Sequence, residues 1–189
     1  MKSNNKTFHW SAILMSLLLL SGHRTALPPR YSCNNGEITI NSVAALELIT
    51  AQSNKLHGVI DTENRTFAWT VEIRSFQGFN SPLQREHFNE NYMETTRFPK
   101  AKFTGKIIEQ VNFEQAGTQS IRAKGILSIH GVDQERIVKS TLSNHNGKLY
   151  IQSKFTVPVA DHNISIPRIV HQKIAEEIEV TVTAVLSPQ

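Results

Sequence analysis

The chain has 189 residues, with 20 Lys and Arg against 16 Asp and Glu, a formal charge of +4 and a single cysteine. Three of the basic residues, Lys2, Lys6 and Arg24, fall in the first 26 positions, which carry no acid; the remainder holds 17 basic against 16 acidic residues, and the charge argument for nucleic-acid binding disappears. One cysteine also excludes an intrachain disulfide, so a domain of this length must be held together by its core.

In chain order, residues 1–26 read as a secretory signal peptide. Lys2, Lys6 and His9 make a basic start, and Ala12 to Leu20 is an apolar run of nine, the length of a signal h-region and too short to span a bilayer. This predicts a periplasmic or secreted protein. Leu20, Ser21 and Gly22 are followed by His23 where a lipid-attachment box needs cysteine. Residues 27–36 read as an N-terminal extension that places Cys33 among Pro28, Pro29, Asn34, Asn35 and Gly36.

From residue 37 to 189 the dominant signal is alternation with period two, interrupted by turn residues, which predicts one all-β antiparallel domain. Nine strands are expected: Glu37 to Asn41, Ala44 to Ala51, Lys55 to Asp61, Thr66 to Arg74, Ala101 to Gln110, Ser120 to His130, Glu135 to His145, Lys148 to Pro158 and Glu177 to Leu186. Asn54, residues 61–64, residues 115–117, His130-Gly131 and Asn146-Gly147 suit the connections between them, the last most strongly as a hairpin turn.

Two stretches break the alternation. Ser81-Pro82 is a helix start, and Leu83, His87, Phe88 and Tyr92 recur at helical spacing, so a short helix is expected from Leu83 to Met93, over one end of the sheet. Pro167 followed by Ile169, Val170, Lys173 and Ile174 predicts a second. Many strands with so few helices mean a sandwich or a barrel. Strand alternation looks the same around a filled core and around a hollow one.

Catalytic constellations are missing from the sequence: there is no nucleophile elbow, no phosphate-binding glycine loop, and the eight histidines form no metal-ligand spacing. His130, at a strand end beside Gly131, reads as a turn residue. Glu86, Glu90 and Glu94, at four-residue spacing, read as the solvated face of the helix.

Four segments in fixed order carry a resemblance. Lys55-Leu56-His57-Gly58-Val59-Ile60-Asp61 precedes the strand from Phe67 to Ile73. Residues 85–93 lead into Arg97-Phe98-Pro99-Lys100-Ala101-Lys102-Phe103. Gly125 to Val132 ends in His-Gly-Val, and Ile174 to Val180 begins the closing strand. Together they resemble the YceI-like family of polyisoprenoid-binding proteins. That resemblance implies an antiparallel, lipocalin-like eight-stranded barrel with one or two short helices and an apolar interior that holds an isoprenoid quinone or polyprenyl chain, with no cofactor and no catalysis.

On that basis Phe67, Trp69, Val71, Phe103, Ile107, Leu127 and Ile129 are expected to line the interior, with Phe88 as a plug from the helix. Arg74, Arg85 and His87 are the candidates for a polar headgroup. The partners expected are the isoprenoid lipid and a transient contact with a membrane or membrane protein, and no nucleic acid. The competing reading is a periplasmic protein-interaction module with a filled core and no ligand.

Overall fold

The computed structural model describes residues 30–189. The expected signal peptide, residues 1–26, and residues 27–29 lie outside the described residues. Eight strands follow one another: β1 (Arg30–Val43), β2 (Leu48–Asp61), β3 (Thr66–Glu72), β4 (Lys100–Ile107), β5 (Gly117–Ile129), β6 (Val132–His145), β7 (Lys148–Pro158) and β8 (Glu177–Pro188). Each pairs antiparallel with the next, and β8 returns to β1, so the sheet closes into an up-and-down barrel with no free edge. The choice between sandwich and barrel is thus settled for the barrel.

The alternation has its expected cause. In β3, Phe67 and Val71 are buried while Ala68 and Glu72 are exposed. The tight connections also follow from residue type. His130-Gly131 and Asn146-Gly147 are two-residue loops with positive φ at both positions, the twist that suits an antiparallel hairpin. Between β4 and β5, Gly105 faces Gly125, and a Cβ on either would lie 2.1 or 2.2 Å from a carbonyl oxygen of the other strand. Only glycine permits that approach of the two backbones.

Three expectations need correction. Asn54 is no turn: residues 48–61 form the single strand β2, so the two strands read from 44–51 and 55–61 are one and the total is eight. Opposite Gly36 and Ile38 the register slips, and Asn54 and Lys55 both face solvent; this bulge shifts the phase of the alternation, which reads as a break. Second, residues 30–36 are strand and not a loose extension, and Cys33 is buried among the core residues. Third, the helix has the expected extent but is α-helical only in its first half. α1 spans Pro82–His87, capped by the Ser81 hydroxyl, which accepts from the Gln84 amide at 3.1 Å; a π turn, Phe88–Tyr92, completes the segment. The second expected helix is a 3₁₀ turn, Arg168–Val170.

The two ends of the barrel differ. At the end carrying the β6–β7 turn the interior is filled: Tyr31, Phe113, Leu142, Leu149 and Leu186 pack together, and the three leucines are fully excluded from solvent. The opposite end, where β5 turns into β6 and β8 begins, is covered by α1, its π turn and the segment between β7 and β8.

Candidate functional site

Between the filled floor and the covered end the interior is open. A lower cavity of ≈ 100 Å³ is walled by Phe67, Trp69 and Val71 of β3, Phe103 and Ile107 of β4, Leu127 of β5 and inward residues of the other strands. Phe67 and Phe103 pack with ring centroids 4.9 Å apart. Trp69 owes its position to Gly58, its cross-strand partner on β2: a Cβ at Gly58 would sit 2.0 Å from Trp69 Cζ3, so the indole lies directly on the glycine backbone. Nearly all of the lining is apolar; the polar groups on it are Thr70, Lys102, Ser140 and Ser153.

An upper compartment of ≈ 110 Å³ lies beneath the lid, lined by Ile40, Phe79, Phe88, Met93, Ile174 and Ile178 among others. The two spaces run end to end, as the strands show: on β1 Ile38 faces the lower and Ile40 the upper, and on β8 Val182 faces the lower and Ile178 the upper. A partition of packed side chains separates them, built on Leu127, Val157 and Val180.

The lid is fixed to the barrel on two sides. Phe88 packs on Phe79 at 4.9 Å and on Phe76 at 6.1 Å. On the other side the β5–β6 turn reaches up: His130 Nδ1–H donates to the His162 carbonyl at 3.1 Å, and His130 Nε2 faces Glu94 Oε1 at 3.1 Å. The Phe98 ring covers Gly131 and stands 4.7 Å from the His130 ring. Segments about 30 residues apart in sequence, Phe98-Pro99 and His130-Gly131-Val132, therefore meet in one contact. Glu94 is part of this latch and not of a solvated helix face; it also accepts from Arg97 at 2.9 Å, and that bond, then His130, holds its carboxyl below the usual range. His162 is fully buried, donates from Nδ1 to the Val132 carbonyl at 3.2 Å, and is pushed down by burial toward the neutral imidazole.

The residues named from sequence are distributed as follows. Phe67, Trp69, Val71, Phe103, Ile107 and Leu127 line the lower cavity. Phe88 lines the upper one, and Ile129 packs into the partition between them. Arg74 and Arg85 come together in an open groove outside the lid: Arg74 bonds Thr95 and Thr96, and Arg85 donates to the Arg74 carbonyl at 3.0 Å. Glu86 and Glu90 line the same groove, so its formal charge is balanced. His87 is exposed and lines neither cavity nor groove. The sequence reading missed Ile38, Leu56, Phe155 and Val182, whose strands alternate visibly, and the inward serines Ser140 and Ser153, which look like outward positions.

Among the described residues no group of three or more His, Cys, Asp or Glu side chains is arranged to hold a metal ion, and no helix is long and apolar enough to cross a membrane.

Solved structures share the architecture. A polyisoprenoid-binding domain from Saccharophagus degradans, implicated in plant cell wall breakdown, superposes with a TM-score of 0.73 at 14% identity, covering 87% of this chain and 100% of its own. BcnA of Burkholderia cenocepacia gives 0.66 at 12% identity, covering 80% and 96%. The YCEI protein of Campylobacter jejuni gives 0.59 at 13%, covering 75% and 85%. At such identities the likeness is one of fold. No curated protein matches the chain. The family model of the YceI-like domain matches residues 31–186, from the second residue of β1 to within two residues of the end of β8, and the chain belongs to that family.

Proposed function

We propose that this protein binds an isoprenoid lipid in the barrel interior, without catalysis, and stores or carries it. The observation that supports this most is the apolar cavity held open inside a closed barrel, continued by a second apolar compartment under the lid. A related fold, in Saccharophagus degradans, is described as polyisoprenoid-binding. Burying a five-carbon isoprene unit gains roughly 3 to 4 kcal/mol before ordering costs, scaled from ~0.8 per methylene. Each compartment is of the size that takes one small hydrocarbon or ring. A multi-unit chain then spans both by displacing partition side chains such as Val180 and Ile40.

Charge favours a neutral lipid over a polyprenyl phosphate. The arginines expected to meet a headgroup are offset by Glu86 and Glu90 in the same groove, and an anion inside the cavity would lose its hydration. A quinone with an isoprenoid tail satisfies both conditions. Export through residues 1–26 would place the protein beside a membrane in the periplasm or outside the cell. Around the lid, Leu46, Leu48, Leu83 and Ile169 are exposed, and Ile169 stands between the exposed Arg168 and Lys173. A bilayer surface with anionic lipid fits this rim and is the proposed site of exchange.

The test is uptake of an isoprenoid quinone by the full chain stripped of lipid, comparing wild type with Trp69→Asp. Wild type should take up one equivalent; a carboxylate on the cavity wall should abolish uptake. Equal uptake by both would place the lipid somewhere other than this interior.

A further inference from the structure

We propose that Ser140 and Ser153 form a neutral hydrogen-bonding site at the floor of the lower cavity, which takes the oxygen-bearing end of the lipid. The ligand then goes in head first, a ring carbonyl against the serines and the chain running up toward the lid. This rests on the carrier reading and adds to it an orientation and a choice of head.

The register of β6 against β7 places Ser140 opposite Ser153, both pointing inward. Their hydroxyl oxygens are 2.7 Å apart, and the two residues are only 7% and 8% exposed. Two hydroxyls have two hydrogens, and the bond between them uses one. Neither oxygen has another partner among the described residues, so one O–H is left without an acceptor in an apolar cavity. The neighbouring inward positions are Val138 and Leu142 on β6 and Ile151 and Phe155 on β7, where a pair of alanines or valines would complete the wall with no polar group at all. A buried donor without an acceptor costs stability, and a ligand oxygen removes that cost.

Position and charge decide which oxygen suits. The serines sit where the open interior meets the filled floor, Ser140 one inward position from Leu142 on β6, and in the same wall as Ile121 and Ile151. Their chain neighbours Lys139 and Lys154 are exposed and off the lining; Lys102, the one lysine on the lining, is the third residue of β4, near the lid end, and is solvent-exposed. A phosphate there would be desolvated without compensation, whereas a ketone or quinone carbonyl needs only the one donor available. The cavity is also of ring size.

The experiment compares two probes, decylubiquinone and decylbenzene, on full-length wild type and on the double variant Ser140→Ala/Ser153→Ala. Removing both partners together leaves no orphaned hydroxyl, so the variant is expected to fold with little change in melting temperature. Quinone binding is read from quenching of tryptophan fluorescence, Trp69 being the tryptophan on the cavity wall, and decylbenzene by competition. The expected result is a loss of about five- to tenfold in quinone affinity with decylbenzene affinity unchanged. Infrared spectra give a readout that needs no variant: a carbonyl stretch of wild-type-bound quinone shifted to lower frequency than in alkane. Unchanged quinone affinity in the variant, or an unshifted stretch in wild type, overturns the serine site while leaving the carrier reading intact. Failure of wild type to bind either probe overturns both.

Discussion

Gly58→Ala tests how the cavity is built. The added methyl would lie 2.0 Å from Trp69 Cζ3 and 2.2 Å from Cε3, against an ordinary contact of 3.4 Å or more, so the indole must move by about 1.4 Å. Its room lies inward, toward the lower cavity that it lines. Overpacking of this kind costs roughly 1–3 kcal/mol, which for a domain of this size lowers Tm by about 2–12 °C. The clash involves the six-membered ring of the indole, so Trp69→Phe should relieve it. In a double-mutant cycle, Gly58→Ala is expected to cost at least ~1 kcal/mol less when combined with Trp69→Phe than in wild type, measured by urea unfolding followed by far-ultraviolet circular dichroism. Quinone uptake should fall in the Gly58→Ala single variant, because the displaced ring occupies ligand space. Additivity within ~0.4 kcal/mol would refute the claim that Gly58 is there to seat Trp69.

Leu142→Ala probes the filled floor: the side chain is fully buried, and its truncation should cost about 2–5 kcal/mol in urea unfolding, whereas a cost under ~1 would mean that the floor is not packed. Ile169→Asp, on the exposed rim, should leave Tm unchanged and reduce flotation with vesicles of phosphatidylcholine and phosphatidylglycerol; undiminished flotation would remove the rim from the exchange proposal. Acid should destabilise the fold in two stages. His162 is held below its unfolded value of about 6.5 by burial, so its contribution is complete above that pH and is lost as pH falls toward the folded pKa. Asp61 is held down chiefly by the Asn64 amide, Glu109 by Arg122 and Glu94 by Arg97, so their contributions are lost only as pH falls below about 4.5. Melting temperature against pH should therefore decline first below about 6.5, and His162→Gln should remove that first decline alone; a wild-type profile flat down to pH 5 would contradict the assignment.

Much of the fold was legible because each strand keeps one apolar face. Phe67, Trp69 and Val71 announced β3, and the same alternation put on the inward face six residues that line the cavity, although only the family resemblance pointed to a cavity there. The bulge at Asn54 and Lys55 hid the continuity of β2, since a one-residue slip in phase looks like the end of a strand. Cys33 looks like a loop residue in sequence for a local reason: prolines and Asn-Gly neighbours suggest a loop, while pairing with both β2 and β8 holds β1 in place and carries Cys33 into the core. Ser140 and Ser153 were invisible as site residues because a serine in an alternating strand reads as an outward position. Arg74 and Arg85 could be named individually, but their balance by Glu86 and Glu90 depends on how α1 and its π turn lie against the 3₁₀ turn Ile73–Ser75 that follows β3. Whether the interior is filled or hollow has two answers in one barrel, and that division depends on side-chain volumes meeting across strands, which no single strand records.

The most direct test of the central claim is mass spectrometry of the full-length protein purified from its own host, first native and then denatured with organic extraction. A single neutral isoprenoid lipid is expected at one equivalent per chain, lost on denaturation and absent from the Trp69→Asp variant. A protein that emerges empty, and stays empty when offered isoprenoid quinone, would contradict that claim.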